Sequence, residues 1–294
     1  MIGSGALDDL AEFEGQTEAQ KAIDYRRALL MANHEDAVRV AEQIARNLDG
    51  GLTDLFGEGL MTSEAASCRY NHFEGLRRIP FKVRLRREKE TLGLYLTGHP
   101  IDLYKSELKH IRKFRIRDLR VSNDDFTIVG LIVAIRTMRT RSNDLIAFVT
   151  LDDGSGRTEV SVFADLYDAN HGKLQKDNVI VVKGVTSLDD FTGGIRMRAS
   201  EVSDFVEARA KNVKRLKLRL CDEDLGANFT DELAQLLQPY KEVIGCRCPV
   251  SIAYVRAEAE AEVTLGESWR VSPADDLIQN LQDRYGAETV LLDY

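Results

Sequence analysis

Few side chains in this 294-residue chain stand where they could do chemistry. His99 lies beside a helix-terminating glycine in the stretch Glu90–Ile101, "ETLGLYLTGHPI", where an imidazole could serve as a general base. No nucleophile or carboxylate partner is in reach by sequence, so a latch between domains is the favoured reading of this stretch. Cys246 and Cys248 flank Arg247, a spacing that differs from the two-residue gap of a zinc knuckle. Asp152-Asp153 and Asp189-Asp190 are paired acids, but both fall at expected strand ends, where Asp favours turns. The sequence shows no Gly-rich phosphate loop and no histidine pair at metal-ligand spacing. The residue types therefore point to binding through cations and aromatics, with no cofactor.

Charge is distributed unevenly. The net charge is −8, yet residues 69–120 hold fifteen basic against six acidic residues, a net of +9. The flanking stretches are acidic: −8 for 1–68, −4 for 121–205 and −5 for 206–294. A basic belt such as "RRIPFKVRLRREKE" with "KHIRKFRIRDLR" is the footprint expected of phosphate contact or of an acidic partner; a solvated basic face is the alternative. No apolar run approaches the roughly 18 residues of a membrane span, and no secretory signal is visible, so a cytoplasmic home is the default.

The elements that must position these residues fall into segments. Residues 1–46 carry Ile23, Ala28, Leu29, Met31, Ala37, Val38, Ala41 and Ile44 at roughly helical spacing, a helical piece with too little partner surface of its own. That suggests a chain beginning inside a larger helical region. Residues 47–67 are a Gly, Asp and Ser-rich linker holding the apolar cluster Leu52, Leu55 and Phe56, which could dock into a partner's pocket or pin the linker to its own surface. Residues 68–120 form a basic helical connector, its first helix expected to run through Leu92, Tyr95 and Leu96 to Thr97, with a second short helix around "IDLYKSELKHI".

Residues 121–211 are the most informative. "FTIVGLIVAIRTMRT" reads as a long first strand that Gly130 lets bend, followed by "DLIAFVTLDD", "TEVSVF", a helix at "ADLYDANHGKLQ" and two strands around a Phe-Thr-Gly-Gly turn. Five strands with a helix between the third and fourth give the order of an OB-fold β-barrel. OB-folds bind single strands through a basic groove with stacking platforms. The candidates for such contacts are Arg136, Arg139, Arg141, Arg157, Lys183, Arg196, Arg198 and, at the last hairpin, Phe191. Phe148 and Phe163 alternate with polar neighbours and are expected in the core. An OB barrel used for protein docking is the alternative. Residues 212–294 read as a small α/β domain, with a short strand at "SWRV" and a helix capped by Ser272, with Pro273 first and Asp275 completing a capping box. The fold class is thus α+β multidomain. Trp269 beside that helix reads as a core residue or an interface anchor.

The stretches "ETLGLYLTGHP", "LDDGSGR" and "WRVSPADDL" closely resemble the alpha-subunit family of bacterial DNA polymerase III, the replicative DNA-directed DNA polymerase, and the resemblance covers the whole chain. It implies a C-terminal part of that subunit, with the family's magnesium-binding palm carboxylates lying outside these residues. It implies that Leu52-Thr53-Asp54-Leu55-Phe56 is the internal sliding-clamp-binding peptide: Asp54, Leu55 and Phe56 match, whereas Leu52 stands where Gln is usual. It further implies that the OB domain handles single-stranded template DNA and that residues 212–294 engage the tau subunit of the clamp loader. By resemblance, 1–46 is the helical tail of a helix-hairpin-helix region. A free-standing OB-fold accessory protein that binds single-stranded DNA is the rival reading.

Overall fold

The computed structural model describes residues 1–11, 21–49, 76–140, 143–189, 193–222, 225, 226, 228–241, 247–256 and 258–294. The expected clamp peptide with Leu52, Asp54, Leu55 and Phe56 lies outside these residues, as do Arg141, Phe191 and Cys246. The chain divides into two compact units, Met1–Leu103 and Tyr104–Tyr294.

The first unit is helical. Helix α1 spans Ile23–Asp49 and helix α2 spans Phe81–Leu92. The first turns of α1 are buried: Leu29 and Leu30 pack with Ala11, Ile2, Leu7 and Leu76, while Val38 and Val40 are exposed. A buried carboxylate links its two helices. Glu88, 0% exposed, accepts from Arg27 Nη1 at 2.7 Å, from the Leu96 and Thr97 backbone N–H groups at 2.8 and 3.0 Å, and from Thr97 Oγ1 at 2.7 Å. Burial alone would raise its pKa; the hydrogen bonds from Thr97, Arg27 and Leu96 outweigh that and hold it at about 2.

This arrangement corrects the expected end of the helix. α2 stops at Leu92, not at Thr97, because Gly93 takes the left-handed conformation at φ 76° and donates to Lys89 O at 2.9 Å. The chain then turns back so that Leu96 and Thr97 can cap the Glu88 side chain, which leaves Leu94 and Leu96 exposed. Helical spacing of Leu92, Tyr95 and Leu96 was therefore coincidental.

The second unit begins with helix α3, Lys105–Ile111, and continues into a closed five-stranded barrel of order β1-β2-β3-β5-β4. Its strands are β1 Ser122–Arg139, β2 Leu145–Asp152, β3 Arg157–Val162, β4 Val179–Leu188 and β5 Ile195–Asp204, with helix α4, Ala164–Asn170, between β3 and β4. β1 is long enough to pair with β4 through its first half and β2 through its second, changing partner at Leu131. Gly130 sits at that corner. A Cβ there would come within 2.9 Å of Leu151 Cβ, so the strands can approach only without a side chain. The bulge itself lies two residues further on, between Ile132 and Ala134. Alternate residues of every strand, among them Ile128, Val149, Val160, Val182 and Met197, fill the barrel.

Helix α5, Phe205–Asn212, leaves the barrel with a full capping box between Asp204 and Glu207. A four-stranded sheet of order β8-β7-β6-β9 follows, built from β6 Arg215–Leu220, β7 Val250–Val255, β8 Glu260–Thr264 and β9 Val290–Asp293. β6 and β7 are parallel and joined through helix α6, Phe229–Leu237, as a parallel pair requires a crossover. Helix α7, Asp275–Tyr285, joins α6 over a core of Leu216, Leu218, Val250, Leu277 and Leu281. Trp269 packs half-buried against this core, with Lys241 Nζ 3.9 Å from the centre of its ring.

Two expectations in this domain are corrected. "SWRV" forms a 3-10 turn at Glu267–Trp269 and one bridge, Val271 to Cys248, not a strand. α7 starts later than expected, with Ala274 at its cap position and no side-chain cap. The reason is competition: Asp275 and the Pro273 carbonyl are both taken by Arg209. That guanidinium, 1% exposed, donates from Nε and Nη2 to Glu107 at 2.6 and 2.9 Å and from Nη1 to Pro273 O at 2.7 Å, while Nη2 lies 2.9 Å from Asp275. Arg209→Ala strands Glu107 and Asp275 as poorly compensated acids. It is expected to lower the stability of this unit by roughly 3–5 kcal/mol, read by urea unfolding; a loss below about 1 kcal/mol would show that the cluster contributes no more than a surface pair.

Candidate nucleic-acid interface

Strand alternation decides which side chains face out of the barrel. On β2, Ala147, Val149 and Leu151 point inward, so Phe148, Thr150 and Asp152 must point outward. Phe148 faces Arg136 on β1 and Ser161 on β3, and Ser161 faces Arg198 on β5. One row of outward residues, Arg136, Phe148, Ser161 and Arg198, thus crosses four strands. The Arg136 guanidinium lies over the Phe148 ring at 4.7 Å, and that of Arg198 over the Phe163 ring at 4.6 Å. These are cation–π contacts at an accessible face.

Both phenylalanines correct the sequence reading, which assigned them to the core. Phe163 is 41% exposed and Phe148 half-buried, and neither joins the barrel core. A signal was present: Phe148 shares its parity with Thr150 and Asp152, whereas Ala147, Val149 and Leu151 form the apolar set.

The next row is electrostatically self-contained. Glu159 on β3 lies 2.8 Å from Arg136 Nη2 and 3.5 Å from Arg196 Nε. Arg196 also meets Asp189 at 2.9 Å, and Arg157 meets Asp152 at 2.7 Å. Arg136, Arg157, Glu159, Asp189 and Arg196, with Thr158, line a cavity of about 310 Å³. The structure therefore brings Arg136, Arg157, Arg196 and Arg198 to one side of the barrel. Arg139 stands at the β1–β2 turn, donating to Asn143 Oδ1 at 3.1 Å. Lys183 does not join them: it lies on β4, ion-paired with Asp125 at 3.1 Å, and its strand neighbours are Thr127 and Glu201.

Asp152 and Asp153 are structural, while Asp190 lies outside the described residues. Asp152 accepts from the Gly154 N–H as well as from Arg157. Asp153 is buried and accepts from Arg112, Ser155 and the Ile116 N–H; burial would raise its pKa, but the bonds from Ser155, Ile116 and Arg112 hold it below the ordinary carboxylate range. His99 is likewise part of a turn, its Nδ1 accepting from the Ile101 N–H at 3.3 Å. Among the described residues no three His, Cys, Asp or Glu side chains group to hold a metal ion. No described helix is long and apolar enough to cross a membrane.

Comparison with known proteins follows the same outline. Residues 126–205 match the family of OB-fold nucleic acid binding domains, and residues 232–286 match the family described as DNA polymerase III subunit alpha, C-terminal domain. Over the whole chain, the DNA polymerase III subunit alpha of Pseudomonas fluorescens is 41% identical and that of Escherichia coli (strain K12) 38% identical. The chain belongs to the DNA polymerase III alpha-subunit family. It spans 25% of the length of the Pseudomonas fluorescens relative and 24% of the Escherichia coli one, and corresponds to the C-terminal region of the family. A solved domain of replication protein A from Methanococcus maripaludis is similar at 17% identity and a TM-score of 0.27, over 31% of this chain and 93% of that one. That likeness is too low to add to the barrel topology of this family member.

Glu159 masks two arginines at once. Glu159→Gln is expected to release Arg136, leave Arg196 with Asp189 alone, and shift elution from an immobilised polyanion such as heparin to higher salt. Elution at unchanged salt would show that the ion pairs do not limit the reach of this face for anions.

Proposed function

We propose that this chain is a noncatalytic part of the replicative DNA polymerase, a nucleotidyltransferase, and that its barrel holds single-stranded template DNA. The observation that supports this reading best is the outward row in which Arg136 lies over Phe148 and Arg198 over Phe163. Single-strand binding needs flat platforms on which bases stack in any sequence, with cations near the backbone. Both are there, Phe148 within the row and Phe163 beside it under Arg198. The carboxylates of Glu159, Asp189 and Asp152 temper the positive charge. A face so tempered suits a strand that must slide, since each fully exposed phosphate contact would add to affinity and to salt dependence.

Two further contacts complete the proposal. Leu55 and Phe56, with Asp54 and Leu52, dock the chain into the apolar pocket of the sliding clamp, where two buried side chains supply most of the affinity. The α/β domain that follows the barrel engages the tau subunit of the clamp loader. The domain limits that go with these roles are 1–46, 47–67, 68–120, 121–211 and 212–294, and the setting is the cytoplasm. The family membership and the match of residues 126–205 support the nucleic-acid part of the reading. Clamp docking is supported by the resemblance of the Leu52–Phe56 peptide.

Removing both platforms, Phe148→Ala with Phe163→Ala, is expected to weaken binding of a fluorescent oligothymidylate by roughly 1–3 kcal/mol per stacked base, measured by anisotropy. Unaltered affinity would place the binding face elsewhere. Leu55→Ala with Phe56→Ala is expected to abolish retention of the sliding clamp in a pull-down, and full retention would end the clamp assignment.

A further inference from the structure

The barrel's own cations are mostly spent on carboxylates, which raises the question of what attracts phosphate. Arg136, Arg157, Lys183 and Arg196 each lie within 4.0 Å of an Asp or Glu oxygen. A different set is largely uncompensated. Between α3 and β1, residues 112–117 alternate: Arg112, Phe114 and Ile116 turn inward, whereas Lys113, Arg115 and Arg117 are exposed. The inward residues are firmly seated. Phe114 meets Phe126 with ring centres 5.0 Å apart, Ile116 joins the barrel core, and Arg112 pairs with the buried Asp153. Pinned on one side, the segment must present the other.

Of the outward residues, Arg117 touches Asp118 at 3.5 Å, while Lys113 and Arg115 make no ion pair among the described residues; the same holds for Arg120. The strip is also continuous with the stacking face. The Arg117 N–H donates to Ser155 Oγ at 3.3 Å, and a Cβ on Gly156 would lie 3.7 Å from that nitrogen. The next residue, Arg157, lines the same cavity as Arg136 and Glu159.

We propose that Lys113, Arg115, Arg117 and Arg120 form a phosphate-binding strip that continues the path of a single DNA strand off the end of the barrel, so that the two surfaces divide the work. Phe148 and Phe163 hold bases; the strip supplies the electrostatic attraction. This rests on the barrel being a single-strand-binding face. The consequence is separable in measurement, because neutralising a phosphate contact changes the salt slope of binding whereas removing a stacking platform does not.

The test is a salt titration of the whole chain with a fluorescent oligothymidylate of about 20 nucleotides, followed by anisotropy. Lys113→Ala with Arg115→Ala is expected to make the slope of log K against log salt shallower by about 1.4, at about 0.7 per charge on a single strand. Phe148→Ala with Phe163→Ala should lower affinity at every salt concentration and leave the slope in place. An unchanged slope in the Lys113/Arg115 variant, with the phenylalanine variant still weakened, overturns the strip and leaves the barrel reading standing. Loss of slope on a duplex of the same length but not on the single strand also overturns it. No binding by the native chain, or none lost in the phenylalanine variant, would remove the barrel reading and the strip with it.

Discussion

A single buried guanidinium organises the larger unit. Arg209 emerges from α5, at the exit of the barrel, and reaches Glu107 on α3, Asp275 at the start of α7 and the Pro273 carbonyl. Tyr104 and Phe205 stack at 3.8 Å beside it, the Tyr104 hydroxyl donates to Asp275 at 2.6 Å, and the Tyr294 hydroxyl donates to Glu107. Burial would lower the Arg209 pKa, but its hydrogen bonds to Glu107 and the nearby charges of Glu107 and Asp275 raise it above the ordinary value. Burial pushes the Tyr104 and Tyr294 hydroxyls upward, and the Arg209 charge opposes that rise in both. A buried charge is tolerable only when every donor is met. That requirement locks the helix before the barrel, the helix after it and the last helix of the chain into one register.

The smaller unit solves a similar problem with the opposite charge. Glu88 is buried on α2 and is satisfied by Arg27 of α1 and by the backbone that follows Gly93. Arg27 in turn is shared with Asp8 at 3.0 Å. In both units a buried ion pairs with residues far off in sequence, so the polar groups specify which elements meet while the apolar cores supply most of the burial.

The outer face of the barrel shows the same economy in reverse. Its arginines are anchored by surface carboxylates, which hold each guanidinium in place and cancel part of its field. Exposed pairs of this kind contribute little to stability. Their effect is on what the face can attract, which is why the largely uncompensated strip at residues 113–120 matters to any polyanion that approaches the second unit.

Much of this was legible in the sequence. Strand alternation and the Gly-rich turns in residues 121–211 mark the barrel's five strands and the inserted helix, because a two-residue period and a bend at Gly130 have few other uses. The basic belt could be counted directly, and the arginines of the outer face were all named. Parity also placed Phe148 outside, though its apolar nature argued for the core; only the inward set of Ala147, Val149 and Leu151 resolves the conflict. What the sequence could not contain were partnerships across long separations. That α2 ends at Gly93 depends on Glu88 needing the Leu96 and Thr97 amides, and that α7 lacks its capping box depends on Arg209 claiming Asp275. Local propensity determined the elements; the demand that each buried charge find its partners was settled only when distant segments came together.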